Sequence, residues 1–133
     1  METLFDTPYA TISYEPDIKL LEIKWKATNF TSEQYREIFN KAVEISSNKP
    51  VDNFLSDIIE QKIVSPTDRK WFEEEAIPKA MATGLKRAGI ILGGNPFKRY
   101  YFNNIMAKTG KFKLPLKAFK NKQSAIEWFK SFE

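Results

Sequence analysis

Residues 20–58, "LLEIKWKATNFTSEQYREIFNKAVEISSNKPVDNFLSDI", decide the fold class because their hydrophobic period changes twice. In "LLEIKWK" (20–26), Leu21, Ile23 and Trp25 alternate with Glu22, Lys24 and Lys26, the period of two of a strand with one covered face. The period then lengthens. Tyr35, Ile38, Phe39, Ala42 and Ile45 recur at helical spacing and form one apolar stripe. Thr31 with Gln34 fits a capping box, and Phe30 with Tyr35 fits a hydrophobic staple, so the helix has a defined start. "VDNFLSDI" (51–58) is more continuously apolar, as expected of a central strand buried on both faces.

Working outward, "YATISY" (9–14) alternates and "EPD" (15–17) supplies a turn, so the chain opens on a hairpin. Downstream, Ser65 as N-cap, Pro66 at the first helical position and Asp68 in the first turn begin a second helix. Trp71, Phe72 and Ala76 give it an inner face. Pro78 cannot donate to the carbonyl of Glu74, which predicts a kink or break, and Gly84 is a stop. "LKRAGIIL" (85–92) reads as a fourth strand. Asn95 and Pro96 then cap and open a third helix that sends Phe97, Tyr101 and Ile105 toward a core. "KLPLKAF" (113–119) is a fifth strand, placed at a sheet edge because Pro115 has no N–H for the ladder. Ala125, Trp128, Phe129 and Phe132 mark a closing amphipathic helix. The order β-β-α-β-α-β-α-β-α predicts one α/β domain over residues 1–133. It is a five-stranded, mostly parallel sheet with helices packed against it, antiparallel only in the first hairpin.

Composition narrows the chemistry. There is no Cys, which removes disulfides, thiolate nucleophiles and cysteine metal sites. There is no His either, and with it goes the commonest general base. The chain is therefore read as a non-enzyme with no cofactor and no metal. A hydrolase built on Asp57 with a lysine ranks last among the readings. Residues 1–66 carry a net charge of −4 and residues 67–133 a net charge of +8. Between Glu75 and Glu127 there are 11 basic residues and no acid, either a solvated face or a field for an anionic partner. The first residues show no secretory signal, and no apolar run approaches the ~20 residues needed to span a bilayer. A cytoplasmic protein without a transmembrane segment is expected.

Two places could carry a site. Asp57 ends the central strand, where open α/β sheets place ligands, and Ser65 follows across a loop. Without His or Cys, Asp57 is read first as structural, bonding loop amides or pairing with a Lys or Arg. "LGGNPFKR" (92–99) is the stronger candidate. Gly93 and Gly94 allow close backbone approach, Asn95 opens a helix, and Lys98 and Arg99 lie on its first turn, an arrangement suited to an anion. It lacks the spacing of a Walker loop, and the two glycines could simply make the turn. The aromatic series Phe97, Tyr100, Tyr101 and Phe102 could stack bases. No helix-turn-helix, RNP or KH signature accompanies it, so nucleic acid is not an expected partner.

The helix "SEQYREIF", the strand "NFLSDI", the run "SPTDRKWFEEEAIPKA" and the terminal "SAIEWF" together resemble the STAS-type, SpoIIAA-like domains sometimes grouped with Sec14-like domains. The resemblance spans nearly the whole chain and implies a non-enzymatic regulatory module that binds protein partners, and the basic second half makes an acidic partner the expected one. The alternative it implies is a carrier or sensor of a small anionic or lipid-like ligand. The best-known members are switched at a Ser within an Asp-Ser-x-Gly motif. Here Ile58 and Ile59 follow Asp57, and Ser65 opens the helix eight residues later, followed by Pro66. The phosphorylation switch is therefore not carried over.

Overall fold

A computed structural model describes residues 1–110 and 113–133, without the side chains of residues 108 and 109. Among the described residues, six strands form one sheet in sequential order: β1 (Glu2–Asp6), β2 (Ala10–Glu15), β3 (Leu20–Trp25), β4 (Asn53–Asp57), β5 (Arg87–Ile91) and β6 (Leu116–Phe119). The pairs β1–β2 and β2–β3 are antiparallel, and β3 to β6 are parallel. The chain is α/β with a mostly parallel sheet, as the alternation predicts. The strand beyond the expected five is β1. Its register slips between Thr3 and Phe5, and Leu4 and Phe5 both pack partly against the core. A bulge of this kind erases the period-two signal by which a strand is recognised.

The described residues also form five α-helices: α1 (Ser32–Asn48), α2 (Pro66–Trp71), α3 (Ile77–Ala82), α4 (Pro96–Thr109) and α5 (Lys122–Lys130). Right-handed crossovers that step in one direction along a sheet put their helices on one face. Tyr35, Ile38, Phe39 and Ala42 of α1 accordingly share a core with Ile12, Ile23 and Trp25, joined by Ala76 and by Phe102 of α4. The capping box is present in full, with Thr31 Oγ1 accepting from the Gln34 N–H at 3.1 Å and Gln34 Oε1 from the Thr31 N–H at 2.8 Å. The opposite face carries α5, whose Ala125 and Phe129 pack on Leu20, Leu55, Ile91 and Phe119.

Pro78 does not break its helix. Residues Phe72–Ala76, between α2 and α3, form a π-helical turn. Widening the turn just before the proline accommodates the missing N–H without ending the helix. Pro115 lies just outside β6, which pairs only with β5 at the sheet edge, and its carbonyl accepts from the Ala88 N–H at 2.9 Å.

Gly89 marks the tightest contact between sheet and helix. A Cβ there would lie 3.1 Å from Phe119 Cε2, 3.2 Å from Phe129 Cζ and 3.3 Å from Leu55 Cδ1. Gly89→Ala is expected to overpack this layer and cost about 1–3 kcal/mol. Denaturant unfolding reads this directly, and an unchanged midpoint would contradict the packing described here.

Candidate functional site

The helices on the first face do not close completely over the sheet. Between them lies a cavity of about 100 Å³, floored by Leu21, Phe54, Ser56, Ala88 and Ile90 and walled by α1, the Phe72–Ala80 stretch and α4. Its lining is mostly apolar, with Tyr35, Phe39, Ile58, Phe72, Ile77 and Ile105 among the larger side chains. The volume is of the order of the engineered apolar cavity of ~150 Å³ that stays dry and binds benzene. Several causes converge. Ala42, Ala76, Ala80 and Ala88 place small side chains on facing elements, and the π-helical turn sets Phe72 and Ala76 along one wall.

One polar group on this wall is anomalous. The Tyr101 hydroxyl is buried and has no hydrogen-bond partner among the described residues. Burial pushes its pKa well up, with Glu73 adding to the rise and Arg69, whose guanidinium lies 4.9 Å from the ring centre, opposing it. At neutral pH it is therefore a protonated O–H donor. Ser56 and Gln61 line the cavity as well. A buried donor left unsatisfied costs about 1–3 kcal/mol, and a bound acceptor would recover that cost. Tyr101→Phe is thus expected to stabilise the ligand-free protein by about 1 kcal/mol and to weaken binding of a hydroxyl- or carbonyl-bearing ligand several-fold. Paired thermal melts with and without 1-octanol check both signs. Destabilisation of the ligand-free protein by this change would show that the hydroxyl is already satisfied.

The residues singled out in the sequence lie at the C-terminal end of the parallel strands. Asp57 Oδ1 accepts the Ile59 N–H at 3.1 Å, a local turn that starts the loop after β4. Ser65 Oγ accepts the Asp68 N–H at 3.2 Å and caps α2. Gly93 takes φ +67°, and a Cβ on it would lie 3.3 Å from the Ile59 side chain, so the two loops touch here. Asn95 Oδ1 accepts from the Phe97 and Lys98 N–H groups at 2.9 and 3.3 Å. The Lys98 ammonium donates to the Ile58 carbonyl and, at 2.6 Å, to the Ile59 carbonyl. Its pKa is lowered by burial, while the charge of Asp57 opposes the shift. Lys98 thus latches α4 to the loop after β4. Gly94 and Arg99 stay exposed.

The structure does not bring these residues to the cavity, and of the three residues expected to face inward from α4 it keeps Tyr101 and Ile105 but not Phe97. Phe97 is 84% exposed instead of reaching the core. The residues that turn inward are Lys98, Tyr101, Phe102 and Ile105, spaced i, i+3, i+4 and i+7, and Phe97 lies one residue off that stripe. No protein-family model matches this chain, and no curated protein matches it. The likeness to STAS-type domains therefore rests on the motifs quoted above. Among the described residues there is no group of three or more acidic side chains placed to hold a metal. No described helix is long and apolar enough to cross a membrane.

Sequence reasoning turned Tyr101 toward the core but gave its hydroxyl no role. As an aromatic on an apolar helical stripe it has the same signature as a core residue, and the missing partner of its hydroxyl exists only in three dimensions. The alanines at 76, 80 and 88 are the one trace of the cavity in the sequence, and alanine in helices and strands is too common to point to it.

Proposed function

We propose that this chain is a non-enzymatic binding module whose ligand is a small amphipathic molecule. The hydrocarbon part occupies the cavity between sheet and helices, and the polar head accepts from the Tyr101 hydroxyl. The observation that carries this reading is an apolar cavity lined in part by Tyr101, whose buried hydroxyl has no hydrogen-bond partner among the described residues. Ligand sites have this composition: mostly apolar surface with few polar groups that fix orientation. The lipid-like ligand that the STAS and Sec14-like resemblance implies suits the same cavity. The absence of His and Cys supports binding over turnover. As a STAS-type module it would act by presenting its occupied form to a regulatory partner.

Native mass spectrometry of the protein taken from cells without organic extraction tests the proposal. The expected spectrum shows the 15.5 kDa chain plus a few hundred daltons, the excess being removed by organic solvent. A bare chain that also gives no thermal shift with 1-octanol would set the reading aside.

A further inference from the structure

Four large apolar side chains stand in solvent at one end of the sheet. Ile59 (47% exposed) and Ile63 (90%) lie on the loop after β4, and Phe97 (84%) and Tyr100 (69%) on the first turns of α4. The Lys98 latch onto the Ile58 and Ile59 carbonyls and the contact of Gly93 with Ile59 bring loop and helix together. The exposed side chains therefore belong to one structural unit. They are interleaved with the exposed cations Lys62 and Arg99, against one exposed acid, Glu60. Large exposed aliphatic and aromatic groups beside cations are the composition of a surface that enters the headgroup region of a bilayer, where aromatic rings are favoured and anionic lipids attract Lys and Arg. A monomeric protein seldom leaves such groups together in water without a partner.

We propose that this end of the molecule docks on the surface of an anionic bilayer, inserting Ile63, Phe97 and Tyr100 while Lys62 and Arg99 meet acidic headgroups. Charge complementarity selects this occupant. Phe97, Arg99 and Tyr100 lie in the stretch between Glu75 and Glu127, which holds 11 basic residues and no acid, and on the loop after β4 the charge of Lys62 offsets that of Glu60. The same loop and helix also wall the cavity: Ile58 and Gln61 line it beside Ile59 and Ile63, and Tyr101 lines it beside Tyr100. Docking would set that wall against the lipid. The inference stands on the exposed side chains and their charges, and holds whether or not the cavity takes a ligand.

Flotation with unilamellar vesicles tests it. One set is phosphatidylcholine and the other contains about a third phosphatidylserine, each at low and at physiological salt. The full chain is expected to float with the anionic vesicles and to lose affinity as salt rises. Ile63→Ser combined with Phe97→Ser should reduce this binding at least tenfold, with an unchanged circular dichroism spectrum because both residues are exposed. Lys62→Gln and Arg99→Gln should each lower the preference for anionic over neutral vesicles about fivefold. Ala80→Phe, which fills the cavity, should float like the wild type, so failure of the ligand reading and failure of this one are distinguishable. Absence of flotation at low salt overturns the proposal, as does binding indifferent to Ile63→Ser/Phe97→Ser. Sedimentation as a dimer that the same pair of substitutions dissolves would assign the surface to a second copy of the chain and also overturn it.

Discussion

Trp25→Ala is expected to cost about 3–5 kcal/mol, the range for removing a large buried aromatic side chain. Trp25 is fully buried on β3, and its ring lies 5.1 Å from Phe30, 5.5 Å from Tyr35 and 6.0 Å from Phe39, centre to centre. Those three residues belong to the helix entrance and its apolar stripe, so Trp25 is the side chain by which α1 is fixed to the sheet. Truncation would leave a void that the neighbouring rings cannot close, because each is held by others: Phe39 by Trp71 and Phe72, and Tyr35 by Phe30 and Trp71. Domains of this size are stable by about 5–15 kcal/mol, so the loss is a large part of the whole. The melting temperature should fall by roughly 10–20 °C. Trp25→Phe should cost much less, since Trp25 Nε1 is buried without a hydrogen-bond partner and no acceptor is orphaned by its removal. A loss below ~1 kcal/mol for Trp25→Ala in denaturant unfolding would contradict the role given to this residue.

Filling the cavity should have the opposite effect on stability. An empty apolar cavity of about 100 Å³ costs about 2 kcal/mol at ~24 cal/mol per Å³. Ala80 lines it from α3 and is only partly buried, so a larger side chain there can settle into the space without forcing the backbone apart. Ala80→Phe is therefore expected to stabilise the ligand-free protein, by up to about 2 kcal/mol, while abolishing binding of an apolar ligand. Ala88→Leu approaches from the sheet floor and should act in the same direction. Gain of stability with loss of binding is the mark of a cavity kept open for use, because protein interiors otherwise pack to crystal density. Destabilisation by both substitutions would show that the space is not available to a side chain or to a ligand.

How far the sequence could be read follows from where each feature is encoded. The capping box at Thr31 and Gln34, the caps at Ser65 and Asn95, and Pro115 at a sheet edge are local codes, each acting within a few residues, and the structure contains them all. The first strand escaped because its bulge breaks the alternation that reveals strands. Phe97 was misplaced because a first helical turn can overhang the sheet, and periodicity places a residue on a face without saying whether anything lies opposite. Pro78 was read as a kink or break, yet a π-helical turn is another solution to the same missing N–H. The cavity was least legible. It is made by small side chains on α1, the π-helical turn, α3 and β5, and no local pattern specifies a space between them.

The space between sheet and helices is proposed to receive the apolar part of a ligand. The most direct measurement is the isoleucine methyl spectrum of the protein titrated with 1-octanol. Ile58, Ile77, Ile90 and Ile105 line the cavity, whereas Ile59 and Ile63 face solvent. The predicted result is saturable shifts of the four cavity methyls, with Ile63 unmoved, and their disappearance in Ala80→Phe. Octanol that shifts only Ile59 and Ile63, or leaves all six methyls where they were, would contradict it.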